Sequence, residues 1–235
     1  MNMQTTTTTP KERPILFSAP MVRAILEGRK TQTRRIIPEQ PNIDPQTGDW
    51  LWVNTDEIQR VRPLHEYVDF KKAHCPHGKP GDRLWVRESF YAFGHWETRY
   101  NQKKARDEWH FVDQTPDFGP YRYADNLPAQ IESGRGANTG WWKRPSLFMP
   151  RAASRILLEI TDVRAERLQD ISEQDAKAEG VNRAIIGNGI RGQQIGQEPR
   201  PYAESFFTLW QAINGTESLQ QNPFVFPITF KRLQP

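Results

Sequence analysis

Short regular segments, separated by long stretches without periodicity, most constrain the fold of this chain. Candidate strands lie at residues 15–17, 31–37, 50–53, 83–88, 155–163 and 224–230. Candidate helices lie at residues 18–27, 171–180 and 202–213. Because strands and helices do not alternate regularly, a parallel sheet wound from βαβ units is disfavoured. The pattern predicts an α+β fold, a small β-barrel with short helices at its mouth. Pro227 places the last strand at an edge or a bulge.

Two stretches, at about 38–79 and 92–146, lack a clear period and are predicted to be long irregular insertions. The polar residues 1–13 are predicted to be a disordered tail, and residues 14–235 a single domain. The 19 prolines, 15 glycines and mean hydropathy of −0.78 indicate much solvated loop. The aromatic share of 11% argues against global disorder.

The cysteine count and the lack of long apolar runs predict a cytoplasmic protein without a membrane span. Cys75 is the single cysteine, so an intramolecular disulfide is excluded. His74, Cys75 and His77 are spaced too tightly for the usual paired metal ligands, and no metal site is predicted. No cofactor-binding loop is found either. The net charge of +4 permits an anionic partner such as nucleic acid.

Two helical segments, each stopped by a glycine, carry the candidate site. The first ends at Gly28 and opens into a basic, hydroxyl-rich loop that contains Lys30 and Thr33. The second ends in Glu179, directly before Gly180. Side chains three apart in an ideal strand face opposite sides, so Lys30 and Thr33 share a site only if the chain turns after Gly28. Each candidate also has a structural interpretation, as a helix-end charge, a strand residue or a solvated carboxylate.

The arginines around this loop support a second interpretation. A basic cluster of this kind contacts phosphates and gives salt-sensitive binding to nucleic acid. The residues concerned are Arg29, Lys30, Arg34 and Arg35, with Arg83 and Arg87 extending the positive surface. Tryptophans of the two insertions are candidates for stacking on unpaired bases, among them Trp96, Trp109, Trp141 and Trp142. The alternative is that most of the eight tryptophans are core or loop-anchoring residues.

Four segments, in this order, resemble the ASCH family of the PUA-like superfamily. They are SAPMVRAILEGRKTQTRR, PGDRLWVRESF, RILLEITDVRAERLQDISEQDAKAEGV and FVFPITFKRL. With its two insertions, the chain is similar to the long ASCH proteins of phages and prophages. The resemblance implies a PUA-like barrel in the cytoplasm, which is the host cytoplasm if a phage encodes the chain.

The resemblance also implies an activity. A small bacterial ASCH enzyme hydrolyses the amide of N4-acetylcytidine with a Lys, a Thr three residues later and a Glu near a helix end. These positions fall on Lys30, Thr33 and Glu179. The expected partner is a nucleoside or a single-stranded nucleic acid, RNA or DNA. Two alternatives remain: a nucleic-acid-binding module without turnover, and a phage accessory protein whose insertions bind a host protein. The sequence leaves the oligomeric state open.

Overall fold

The computed structural model describes most of the chain. The residues described are 9–38, 40–43, 46, 50–54, 57–61, 75–134, 136, 138–183 and 200–234. Residues 1–8 of the predicted tail, His74 and residues 184–199 lie outside them.

The regular elements are mostly short, as the sequence predicts. The strands are β1 Glu12–Leu16, β2 Gln32–Ile36, β3 Asn42–Ile43, β4 Trp50–Asn54, β5 Glu57–Val61, β6 Arg83–Arg87, β7 Phe90–Asn101, β8 Arg106–Asp113, β9 Gly140–Arg144, β10 Leu157–Val163, β11 Glu166–Arg167 and β12 Phe224–Leu233. The helices are α1 Ala19–Leu26, α2 Thr115–Phe118, α3 Glu173–Ala178, α4 Pro201–Asn214 and α5 Thr216–Gln220, with 3-10 turns at Ser146–Phe148, Arg151–Ala153 and Leu168–Asp170.

The chain divides into two compact units, whose boundaries fall within β1, α1 and β6 and at the start of β10. The first unit comprises Met1–Arg13, Arg23–Leu84 and Leu157–Pro235, and the second comprises Pro14–Val22 and Trp85–Ile156. The prediction of a single domain stays a prediction.

The first unit is built on an antiparallel sheet around β12. This strand pairs with β10 on one side, from Leu233 to Ile228, and with β2 on the other. The short β11 then pairs with the start of β12. The first residues of β1 and β6 continue the sheet beyond β10. A separate three-stranded sheet, β3-β4-β5, occupies part of the first predicted insertion.

Of the two predicted places for Pro227, an edge strand or a bulge, the edge strand is wrong, because β12 lies in the interior of its sheet. The β10–β12 pairing does contain a register shift, between Ile160 and Asp162. Pro227 is opposite Arg34 of β2. On its other side, the pairing with β10 has ended at Ile228 and the pairing with β11 begins only at Val225. The proline therefore stands in a gap between two partner strands, where its missing N–H breaks no ladder bond. Its carbonyl accepts from the N–H of Arg164 at 3.2 Å.

Helices α3 and α4 pack against each other and against this sheet near β2 and β12. Ser172 caps α3, and its hydroxyl accepts from the Asp175 N–H at 3.0 Å, as the sequence predicts. The apolar face of α4 packs through Phe206 and Trp210 into a core that includes Ile171 and Val225. This packing fixes α3, and with it Glu179 at its C-terminus, against the sheet.

The second unit corrects the prediction of an irregular insertion at 92–146. Strands β8, β7 and β9 form a three-stranded antiparallel sheet in that order. The β7–β8 hairpin pairs without interruption from Gly94–Asp113 to Asn101–Arg106. A core of Phe90, Ala92, Met149 and Ala153 lies in this unit.

The part of the chain that the structure describes is therefore a mixed α+β protein with sheets and few, short helices, which confirms the predicted class at that level. None of its described helices has the length and apolar character needed to cross a bilayer.

Candidate functional site

Lys30 and Glu179 meet in the interior of the first unit. The Lys30 ammonium donates three hydrogen bonds, to Glu179 Oε2 at 2.7 Å, the Glu179 carbonyl at 2.9 Å and the Gln32 carbonyl at 2.8 Å. Lys30 is 2% exposed and Glu179 is 5% exposed. A lysine ammonium has three donors, and all three are occupied, which is the geometry of the charged form.

The turn after α1 places Lys30 beside the end of α3. Gly28 ends the helix with φ of +74°, the left-handed conformation expected of a C-terminal glycine. The backbone of Lys30 then forms an isolated antiparallel bridge with Glu179, and the Thr31 N–H donates to the Ala178 carbonyl at 2.8 Å. Arg29 continues this contact by donating to the Gly180 carbonyl at 2.8 Å. The predicted turn is therefore present, and it brings the chain after α1 into contact with the C-terminal end of α3.

Arg34 holds the second oxygen of the Glu179 carboxylate. Its Nη1 donates to Glu179 Oε1 at 3.1 Å and to Gln32 Oε1 at 2.7 Å. Its Nη2 donates to Glu166 Oε1 at 2.6 Å and lies 3.6 Å from Asp175 Oδ2. The Arg34 side chain is fully buried. The two oxygens of Glu179 are thus held by two different cations.

The acidic side chains of this network bind a further arginine. Arg164 donates to Glu166 Oε2 at 2.9 Å and to Asp175 Oδ2 at 2.7 Å. We call this connected set the Lys30 cluster. Its members are Lys30, Gln32, Arg34, Arg164, Glu166, Asp175 and Glu179.

Thr33 lies on the other face of β2 from Gln32 and Arg34, since successive strand residues alternate. Its hydroxyl is buried and accepts from Arg35 Nη1 at 2.9 Å. Arg35 is half-buried, and burial lowers its pKa while Glu179 raises it. Arg35 therefore links Thr33 electrostatically to the Lys30 cluster.

Burial and charge alter the protonation of two groups around the site. Burial lowers the pKa of Lys30 below its ordinary value of 10.5, and the positive charges of Arg34 and Arg35 lower it as well. The Glu179 carboxylate raises this pKa, but its effect is smaller than that of burial. Burial, with Arg35 and Arg13 nearby, lowers the pKa of His77 to about 4. His77 is therefore neutral at pH 7.

The remaining predicted binding residues make other contacts. Arg29 pairs with Glu27 at 2.5 Å, and both side chains are exposed. Arg83 lies 3.8 Å from a Glu12 oxygen. Arg87 donates to the Ser146 carbonyl at 3.0 Å. Among the described residues, no group of three His, Cys, Asp or Glu side chains is arranged to hold a metal ion.

The sequence interpretation missed four members of the Lys30 cluster. Gln32 alternates with Thr33 along β2, so its place on the same face as Arg34 was available from strand geometry. Asp175 precedes Glu179 by four residues, which places both on one side of α3. No local signal pointed to Arg164 or Glu166, because they reach the site through sheet pairing.

The Lys30 cluster places cationic hydrogen-bond donors next to carboxylate acceptors in the protein interior. Each carboxylate has about four acceptor positions, so Glu179 retains capacity beyond Lys30 and Arg34. Interior charges interact more strongly than charges in water.

No family model, curated protein or solved structure matches the chain. Membership of the ASCH family thus stays a prediction based on the four segments.

Proposed function

We propose that the Lys30 cluster, with Thr33 and Arg35, recognises a nucleobase or nucleoside, either free or in a nucleic-acid strand. The proposal includes the finer fold assignment, a PUA-like barrel of the ASCH type over residues 14–235 with two insertions, in a cytoplasmic protein. The observation that carries it is the buried pair of Lys30 and Glu179, held at 2.7 Å with both residues at most 5% exposed.

The cost of burying this pair supports a functional role. Removing each ion from water costs several kcal/mol, and apolar residues of similar volume stabilise a core at least as well. Buried charged groups with shifted pKa values are enriched at functional sites. A carboxylate accepts from the exocyclic amine of cytosine, and a guanidinium donates to base carbonyls. Glu179 and Arg35 supply those two groups here.

A second candidate is hydrolysis of the amide of an N4-acylated cytidine, favoured by the contact between Arg35 and Thr33. A guanidinium 2.9 Å from the hydroxyl stabilises the alkoxide that forms as Thr33 attacks the acyl carbon. The acyl C–N bond breaks, the cytidine amine leaves with a proton, and water then releases the acid and restores Thr33. The lowered pKa of Lys30 favours loss of one ammonium proton, and in this mechanism the neutral amine then takes the Thr33 hydroxyl proton and returns it to the leaving amine.

Variants of Lys30 and Thr33 test the proposal on the purified protein. Calorimetric titration with cytidine and N4-acetylcytidine measures binding, and chromatography of the products measures release of acetate. We expect Lys30→Met to lower kcat/KM by about 100-fold or more, the usual size of a lost general base. Thr33→Val removes the hydroxyl without removing a charge, so we expect the same loss of kcat with little change in Kd.

Lys177→Met is the matched control, because Lys177 lies on α3 two residues before Glu179 and is exposed. It should leave binding and turnover unchanged. In the wild type, kcat/KM should rise with pH as Lys30 loses its proton, with a midpoint below 10.5. Failure of every nucleoside to bind below about 1 mM, a value that corresponds to only about 4 kcal/mol, would remove the recognition proposal. Binding without acetate release would remove only the hydrolytic one.

A further inference from the structure

The tip of the β7–β8 hairpin in the second unit carries exposed aromatic rings among cations. Tyr100 is 64% exposed and Trp109 is 43% exposed. Among the side chains that the structure describes, Trp109 is the one exposed tryptophan. Both rings line a surface depression of about 520 Å³, together with Arg99, Lys103 and His110. Exposed apolar groups that lie next to each other on a surface mark interaction sites.

The two rings share one face of the hairpin. Trp109 is opposite Thr98, and Tyr100 is opposite Asp107. Thr98 and Tyr100 are two apart on β7, so Tyr100 and Trp109 are diagonal neighbours on the same side. Each ring is therefore open to stack on a flat partner from that side.

The charge of the tip is positive. Residues 99–106 include four cations and no acid, and all four cations are exposed: Arg99, Lys103, Lys104 and Arg106. Three of the four are paired with carboxylates on the strands behind the tip: Lys104 and Arg106 with Glu108, at 2.8 Å and 3.0 Å, and Arg99 with Glu97. Such exposed ion pairs contribute little to stability, so phosphate oxygens can exchange for these carboxylates at low cost.

The backbone of the tip is held in place before any partner arrives. The Asn101 side chain accepts from the N–H groups of Lys103 at 3.1 Å and Lys104 at 3.3 Å, and it donates to Glu108 at 2.8 Å. A loop that is ordered beforehand loses less entropy when it binds.

We propose that this hairpin tip binds single-stranded nucleic acid, with bases stacked on Tyr100 and Trp109 and phosphates on the surrounding cations. Base stacking on aromatic rings combined with cationic contacts to the backbone is how single strands are bound without sequence preference. The site is independent of the Lys30 cluster, and neither proposal rests on the other.

Fluorescence anisotropy with labelled oligonucleotides of thymidine or uridine tests the site, at a length of about 15 nucleotides. We expect Tyr100→Leu and Trp109→Leu each to weaken binding roughly tenfold or more, the size of a lost stacking contact. Tyr100→Phe and Trp109→Phe keep a ring and should bind within a few-fold of the wild type. Lys103→Ala should reduce the slope of log Kd against log salt by about 0.7, the value for one phosphate contact on a single strand.

Phe148→Ala is the control for an exposed ring outside the hairpin, since Phe148 is 60% exposed. It should leave oligonucleotide binding unchanged. Nucleoside binding measured on the two leucine variants should equal that of the wild type. An oligonucleotide that does not bind the wild type, or that binds the leucine and phenylalanine variants equally, overturns the proposal.

Discussion

Replacing Glu179 by glutamine is expected to lower the free energy of unfolding by about 3–5 kcal/mol, the cost of removing one partner from a buried ion pair. Glutamine keeps nearly the same shape, so packing is preserved while the charge is lost. The ammonium of Lys30 then stays in the interior without the carboxylate that it contacts at 2.7 Å. Arg34 loses its contact with Glu179 at 3.1 Å but keeps Glu166 at 2.6 Å. Urea denaturation at 25 °C and pH 7 measures the change.

Glu27→Gln is the matched control for this variant. Glu27 pairs with Arg29 at 2.5 Å, but both side chains are more than 40% exposed. Its loss should cost no more than about 1 kcal/mol, as for other surface ion pairs. If Glu179→Gln lowers the free energy of unfolding as little as Glu27→Gln does, the pair of Lys30 and Glu179 contributes no more than a surface ion pair.

The pH dependence of the Glu179 variant separates charge from packing. Without Glu179, the carboxylate that raises the pKa of Lys30 is gone, and burial lowers that pKa further. Between this lowered value and the unfolded value near 10.5, the unfolded chain binds more protons than the folded protein. The stability of the variant therefore rises with pH through this window. A deficit that stays constant up to pH 10 would point to lost packing instead.

Replacing Gly180 by alanine is expected to lower the free energy of unfolding by about 2–5 kcal/mol. Gly180 has φ of +82°, where an alanine is strained by about 1–2 kcal/mol. The added methyl group would also lie 2.7 Å from Lys30 Cβ and 3.0 Å from Ala24 Cβ. Overpacking of this kind costs about 1–3 kcal/mol more. Because the clash is with Lys30 itself, nucleoside binding should weaken as well.

Gly28→Ala separates the backbone strain from the clash. Gly28 has φ of +74°, but a methyl group there would meet no atom within 4 Å. It should cost only the strain of about 1–2 kcal/mol and leave Lys30 in place. Equal losses of stability in the two variants, measured by the same urea titrations, would show that Gly180 does not pack against Lys30.

Local sequence patterns predicted elements whose signals are local. Helical spacing and Gly28 identified α1, and Ser172 with Gly180 identified α3. The alternation of apolar residues identified β12 as a strand. It did not show that β12 is a central strand of its sheet, because its partners β2 and β10 are distant in the chain. The β7–β8 hairpin was missed because its turn contains no glycine. Ala105 adopts φ of +49° there, a conformation that turn rules assign to glycine or asparagine.

The site was predictable only in part for a similar reason. The pairing of Lys30 with Glu179 was expected from the family resemblance rather than from local pattern, since the two lie in separate helix-ending segments. A run of basic residues indicates an exposed patch, yet Lys30 and Arg34 are at most 3% exposed. Their burial depends on Glu166, Asp175 and Glu179, three carboxylates that the fold brings to them from another part of the chain.

The most direct test of the proposed nucleobase site is a crystal structure of the protein soaked with cytidine and N4-acetylcytidine. We expect a base whose amine or carbonyl lies within about 3.2 Å of the Glu179 carboxylate, Arg35 or Thr33, the range of a true hydrogen bond. Saturating nucleoside that leaves this cluster without bound base, or that binds only at another surface, would contradict it.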